Sequence, residues 1–142
     1  MQSKAFEGGW LVRFAHGEDV VGGLLAFARE HRMAGAWVNA LGAIEDPELG
    51  YYDLKSRTYT RRTFPGDWEI TAFVGNLGWK GDEPVLHVHA TIGAEDFSTR
   101  GGHLFAGRAG ATCEVLVRDL GIRIERKPDT GIGLALWDLA GG

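Results

Sequence analysis

The chain has 142 residues, with 15 Lys and Arg against 19 Asp and Glu, a formal net charge of −4 and a pI near 5.7. That balance argues against a stand-alone DNA binder, whose affinity comes from neutralising phosphates and leaves a basic footprint. The length predicts one domain that buries a core without a disulfide framework, and the single cysteine, Cys113, has no partner for an intramolecular bridge. No apolar run reaches the length of a membrane span and no signal-like N-terminus stands out, so a cytoplasmic protein without membrane contact is expected.

In chain order, Lys4–Ala15 carries Phe6, Trp10, Val12 and Phe14 in near alternation, which predicts a strand. Glu18–Arg32 then sets Val20, Val21, Leu24, Phe27 and Ala28 at helical spacing. Glu18 and Asp19 stand at its start and Arg29, His31 and Arg32 at its end, signs that complement the helix dipole. Gly22 and Gly23 inside it lower helix propensity and point to close packing. Beyond Gly35 the pattern turns to β. Strands are predicted over Ala36–Ile44, Glu48–Leu54, Thr58–Phe64, Trp68–Gly75, Val85–Ile92, Gly102–Ala106, Ala111–Arg118 and Ile122–Arg126, with Leu134–Leu139 as a last strand or docking tail. The class is α+β, a mostly antiparallel sheet carrying one main helix.

The most specific chemistry lies in Pro84–Ile92, where His87 and His89 flank Val88. A strand's side-chain period of two puts both imidazoles on one face with Val85 and Thr91, while Leu86, Val88 and Ala90 share the other. Both faces of this apolar strand are expected to be covered, and covered imidazoles need a partner. His103, after Gly101 and Gly102 and on the same side of its strand as Phe105, offers a third ring. Three imidazoles without a carboxylate suit zinc or another first-row divalent metal, with one position left to water or substrate. The plainer alternative is three histidines that tie the sheet together without an ion.

Glu114 interrupts the apolar strand around Cys113, Val115 and Val117. It reads as an outward-facing carboxylate or, alternatively, as a catalytic group near the metal that orients a ligand or accepts a proton. Glu69 is a second candidate of that kind. Cys113 falls on the core face, which removes it from the ligand set. Asn39, in an apolar strand, needs a hydrogen-bond partner and is expected to be satisfied within the core, the alternative being that it faces a pocket. The basic cluster at Arg57, Arg61 and Arg62 is the one local patch that could meet DNA.

The runs Leu41–Asp53, Trp68–Leu77, Pro84–His89, Gly101–Leu104, Thr112–Val115 and Arg123–Pro128 together resemble the plant- and prokaryote-conserved (PPC) domain family, over nearly the whole chain. The resemblance implies a homotrimer around an antiparallel sheet, and a metal site that maps onto His87, His89 and His103. It also implies a DNA-binding or regulatory label, although no Arg-Gly-Arg-Pro segment of the AT-hook kind is present. The fold is similar to that of acetolactate decarboxylase, which suggests as an alternative a zinc-dependent lyase or hydrolase acting on a small carbonyl substrate.

Overall fold

A computed structural model describes residues 1–140 and bears out the α+β expectation, with nine strands and one helix among the described residues. β1 (Gln2–Phe6) and β2 (Gly9–Ala15) form a hairpin, so the single strand expected over Lys4–Ala15 is two. The turn falls at Glu7-Gly8, where Gly8 has φ +83°, a conformation that favours glycine. α1 (Val20–Glu30) is shorter than predicted. Asp19 caps its N-terminus, accepting from the Gly22 amide at 3.0 Å, and His31 is the C-cap.

Two strands are much longer than their sequence pattern suggests. β3 (Ala36–Asp53) runs through both segments expected at Ala36–Ile44 and Glu48–Leu54. After β4 (Thr58–Thr63), β5 (Asp67–Lys80) and β6 (Glu83–Gly93), β7 (Thr99–Asp119) likewise joins Gly102–Ala106 to Ala111–Arg118. The β3–β7 register shifts near Gly42 and between Glu45 and Leu49, so the gap expected at Glu45–Pro47 is an irregularity within one continuous strand. Ile122–Arg126 is not a strand. A separate ribbon, β8 (Arg126–Asp129) with β9 (Leu134–Trp137), follows instead.

β3 pairs with β5, β5 with β6, β6 with β7, and β7 back with β3, so four strands close into a circuit. β2 extends the sheet along the C-terminal half of β7, and β4 along the C-terminal half of β3. The inner face supplies Val12, Phe14, Val38, Val88, Val115 and Val117, and α1 adds Val20, Leu24, Phe27 and Ala28 to the same core. A Cβ on Gly23 would lie 2.4 Å from the Phe14 ring, so the helix glycine is what lets that ring seat. No helix among the described residues is long and apolar enough to cross a membrane.

Cys113 lies opposite Phe14 in this core, fully buried, and burial pushes its thiol up to about 12. The thiolate is the reactive form. A thiol reagent at pH 8 is therefore expected to leave the folded protein unlabelled and to label it completely in denaturant. Rapid labelling under native conditions would contradict this placement.

Candidate metal centre

Alternation along β6 places Val88, Ala90 and Ile92 in the core and turns His87 and His89 to the opposite face. That face is half open, not covered as the apolar sequence suggested: His89 is exposed, and His87 and His103 are half-buried. His103 stands directly across from His89 in the β6–β7 register and across from Gly50 on β3. The glycine before it has a structural reason. A Cβ on Gly102 would meet the Gly50 carbonyl oxygen at 2.7 Å, so only glycine lets β3 and β7 close at the point where His103 projects.

The three rings converge. Their centroids are 5.3 Å (His87–His89), 5.2 Å (His87–His103) and 5.7 Å (His89–His103) apart, and one nitrogen from each lies within 4.8 Å of the others. A tetrahedral ion about 2.1 Å from each nitrogen would set such centroids about 5 Å apart. Burial, with Arg126 and His89, holds the His87 imidazole below its ordinary pKa. Burial first, then His87, His89, Arg126 and Arg61, lower His103 to about 4. Both rings are neutral at physiological pH, the form a metal requires. His103 Nδ1 is buried and has no hydrogen-bond partner. An orphaned ring nitrogen beside two further imidazoles fits a first-row divalent cation.

Aromatic and cationic side chains wall the cluster. Phe105 packs 4.5 Å from the His103 ring, and Tyr59, whose hydroxyl burial pushes up in pKa, lies 5.5 Å from it. Arg61 lies over Phe105 at 3.8 Å and pairs with Glu48. Arg126, from β8, donates through Nη2 to His87 Nδ1 at 3.0 Å and to Asn76 Oδ1 at 2.8 Å. Trp137 of β9 donates to the same Asn76 oxygen. A guanidinium only donates, so His87 Nδ1 accepts and its proton sits on Nε2. A metal taken up through Nδ1 would occupy that lone pair. One taken up through Nε2 would move the proton to Nδ1. Either way, metal binding ends the Arg126–His87 hydrogen bond.

The remaining candidates lie elsewhere. Glu114 is exposed and sits opposite Arg13 and Leu41, toward the other end of β7 from His103. It lines an open groove of about 580 Å³ with Gln2, Lys4, Arg13 and Asn39. Glu69, also exposed, is opposite Ala43 and Gly93. Neither carboxylate joins the three-histidine cluster. Strand parity gives each one's face but not its place along the strand. Asn39 is exposed on the outer face and reaches the Phe73 carbonyl at 3.5 Å, so it is not a core residue. Cys113, as expected, stays out of the cluster. Arg126, Asn76 and Tyr59 carry no signal of the site in the sequence: they come from other strands, and no local spacing ties them to the histidines.

The family model described as the Plants and Prokaryotes Conserved (PCC) domain matches residues 1–121. Several solved structures share the fold. A protein from Bacteroides thetaiotaomicron named "putative DNA binding protein" superposes with a TM-score of 0.93 at 28% identity, with 96% of each chain covered. A plant- and prokaryote-conserved (PPC) protein from Pyrococcus horikoshii has a TM-score of 0.86 at 29% identity, covering 96% of this chain and 93% of the other. A protein from Archaeoglobus fulgidus described as metal-containing has a TM-score of 0.85 at 34% identity, covering 95% and 99%. No curated protein matches the sequence.

Proposed function

We propose that this chain, which belongs to the Plants and Prokaryotes Conserved (PCC, here PPC) domain family, is a single-domain, homotrimeric, metal-binding protein of the cytoplasm. His87, His89 and His103 hold zinc or another first-row divalent ion and leave a coordination position for a ligand. The carrying observation is the convergence of three imidazoles within 4.8 Å, with His103 Nδ1 buried and unpartnered. The metal content of the Archaeoglobus relative supports the same reading. Elemental analysis of untagged protein is expected to find about one transition-metal ion per chain. Metal-free protein whose melting is indifferent to added zinc would end the proposal.

Trimer formation is supported by the outer face of the sheet. Leu11, Leu116, Asn39, Val74 and His89 form one cross-strand row, and Leu11, Leu116 and Val74 are exposed at 54%, 41% and 41%. With Leu41, 61% exposed beside the groove, these residues give the outer face several exposed apolar side chains around Asn39, of the kind that mark an interface. Light scattering should give three times the 15.4 kDa chain mass, and Leu41→Glu should reduce it to one chain without loss of folding. A wild-type monomer at micromolar concentration would remove the trimer.

A zinc-dependent enzyme of the acetolactate-decarboxylase-like fold, acting on a small carbonyl substrate, is the second reading, favoured by the solvent-open side at His89. A DNA-binding or regulatory role is weaker for this chain. Arg61 is engaged by Glu48 and Phe105, Arg57 donates to the Thr130 carbonyl, and the net charge is negative.

A further inference from the structure

The buried cation beside the histidines has no counter-ion. Arg126 is 6% exposed, and its partners are the Ala135 carbonyl at 2.9 Å, Asn76 Oδ1 and His87 Nδ1. Among the described residues no carboxylate lies within ion-pair distance of it, and its Nε–H is buried without any partner. A buried guanidinium without negative charge is costly, and so is an unmade donor. An imidazole carries no negative charge in either protonation state, so the three rings supply no counter-ion, and a divalent ion among them would add to the excess. Metal uptake also withdraws the His87 acceptor, which leaves Nη2 one partner fewer beside the orphaned Nε–H. Those two N–H groups form one edge of a planar fork whose spacing matches the two oxygens of a carboxylate.

We propose that the three-histidine site takes a small carboxylate, held by the Arg126 guanidinium beside the metal position; this rests on the metal reading above. The recognising residue comes from β8, beyond the 1–121 segment that the family model matches. Because metal uptake withdraws the His87 acceptor from Nη2, one of the two donors that the anion uses, the two ligands bind with positive coupling, and each raises the other's affinity.

Cobalt-substituted protein titrated with acetate, with acetamide as the neutral isostere, tests this through the visible ligand-field bands and calorimetry. Acetate is expected to perturb the bands and acetamide to leave them unchanged. Arg126→Gln should raise the acetate midpoint at least about ten-fold while cobalt stoichiometry holds. Since Arg126 also braces β8 against β9, Asn76→Asp provides a second arm. It keeps the guanidinium, supplies a resident carboxylate at the 2.8 Å contact, and should weaken acetate by a similar factor. Equal midpoints in wild type and both variants, or acetamide binding as tightly as acetate, would overturn the proposal. Failure of the metal reading has a different signature: no cobalt retained, yet acetate still stabilises wild type and not Arg126→Gln. Full cobalt occupancy with no acetate response ends the carboxylate site alone.

Discussion

His103→Ala is expected to abolish metal binding and the thermal stabilisation that comes with it. His103 is the one ring supplied by β7, and it brings the only buried, unpartnered imidazole nitrogen among the described residues. Without it, His87 and His89 offer two ligands from one strand, too few for the closed side of a tetrahedral site. Metal at a thousand times its Kd stabilises a folded protein by about 4 kcal/mol. For a chain of this length that corresponds to a rise in Tm on the order of 10 °C. Wild type should therefore lose roughly that much on chelation and regain it with zinc. His103→Ala should melt at one temperature in zinc and in chelator. Its metal-free form should be no less stable than metal-free wild type, because the substitution removes a buried polar atom that nothing satisfies. A His103→Ala protein that still binds one zinc per chain with a full Tm response would remove this residue from the ligand set. Calorimetry on both proteins in matched buffers decides it.

The part of this site that could be read from the sequence is the part governed by local period. Alternation around Val88 fixes the shared face of His87 and His89, and helical spacing from Val20 to Ala28 fixes the buried stripe of α1. What could not be read depends on contacts between distant segments. Asp46 and Pro47 look like a break between two strands, but bulges use the same residue types, so β3 passes through them unbroken. Glu114 and Glu69 show the limit of parity. Each interrupts an apolar run in a suggestive way, yet position along a long strand decides what a side chain meets, and both lie away from the histidines. Arg126 shows the reverse case. Nothing in Glu125-Arg126-Lys127 distinguishes the middle residue from its charged neighbours. The β8–β9 ribbon buries it against Asn76 and His87 and leaves Glu125 and Lys127 nearer to solvent.

Gly75→Ala should damage fold and site together, because the backbone that carries His87 leans directly on that glycine. Gly75 on β5 faces Val88 in the β5–β6 register. A Cβ there would lie 2.1 Å from the His87 carbonyl oxygen, 2.7 Å from the Val88 Cα and 2.6 Å from a Val88 methyl group. Two of those three atoms are backbone and cannot rotate away, so the strands must separate at the point from which His87 projects. Overpacking that forces backbone to shift costs about 3 kcal/mol, a large share of the roughly 5–15 kcal/mol of a whole domain. The expected loss in Tm is about 10 °C. Metal affinity should fall with it, since moving one ligand strand breaks the convergence of the rings. Gly101→Ala is the matched control two residues from His103. Its Cβ would make only ordinary contacts, at 3.5 Å, with the Ala90 carbonyl and the Thr91 hydroxyl. With no positive φ to strain it, that variant should match wild type or gain up to about 1 kcal/mol through a stiffer unfolded chain, and it should keep its metal. Melting and zinc titration of the two variants side by side separate close approach from generic glycine loss. If Gly75→Ala melts within about 2 °C of Gly101→Ala and binds zinc equally well, the β5–β6 contact does not hold His87 in place.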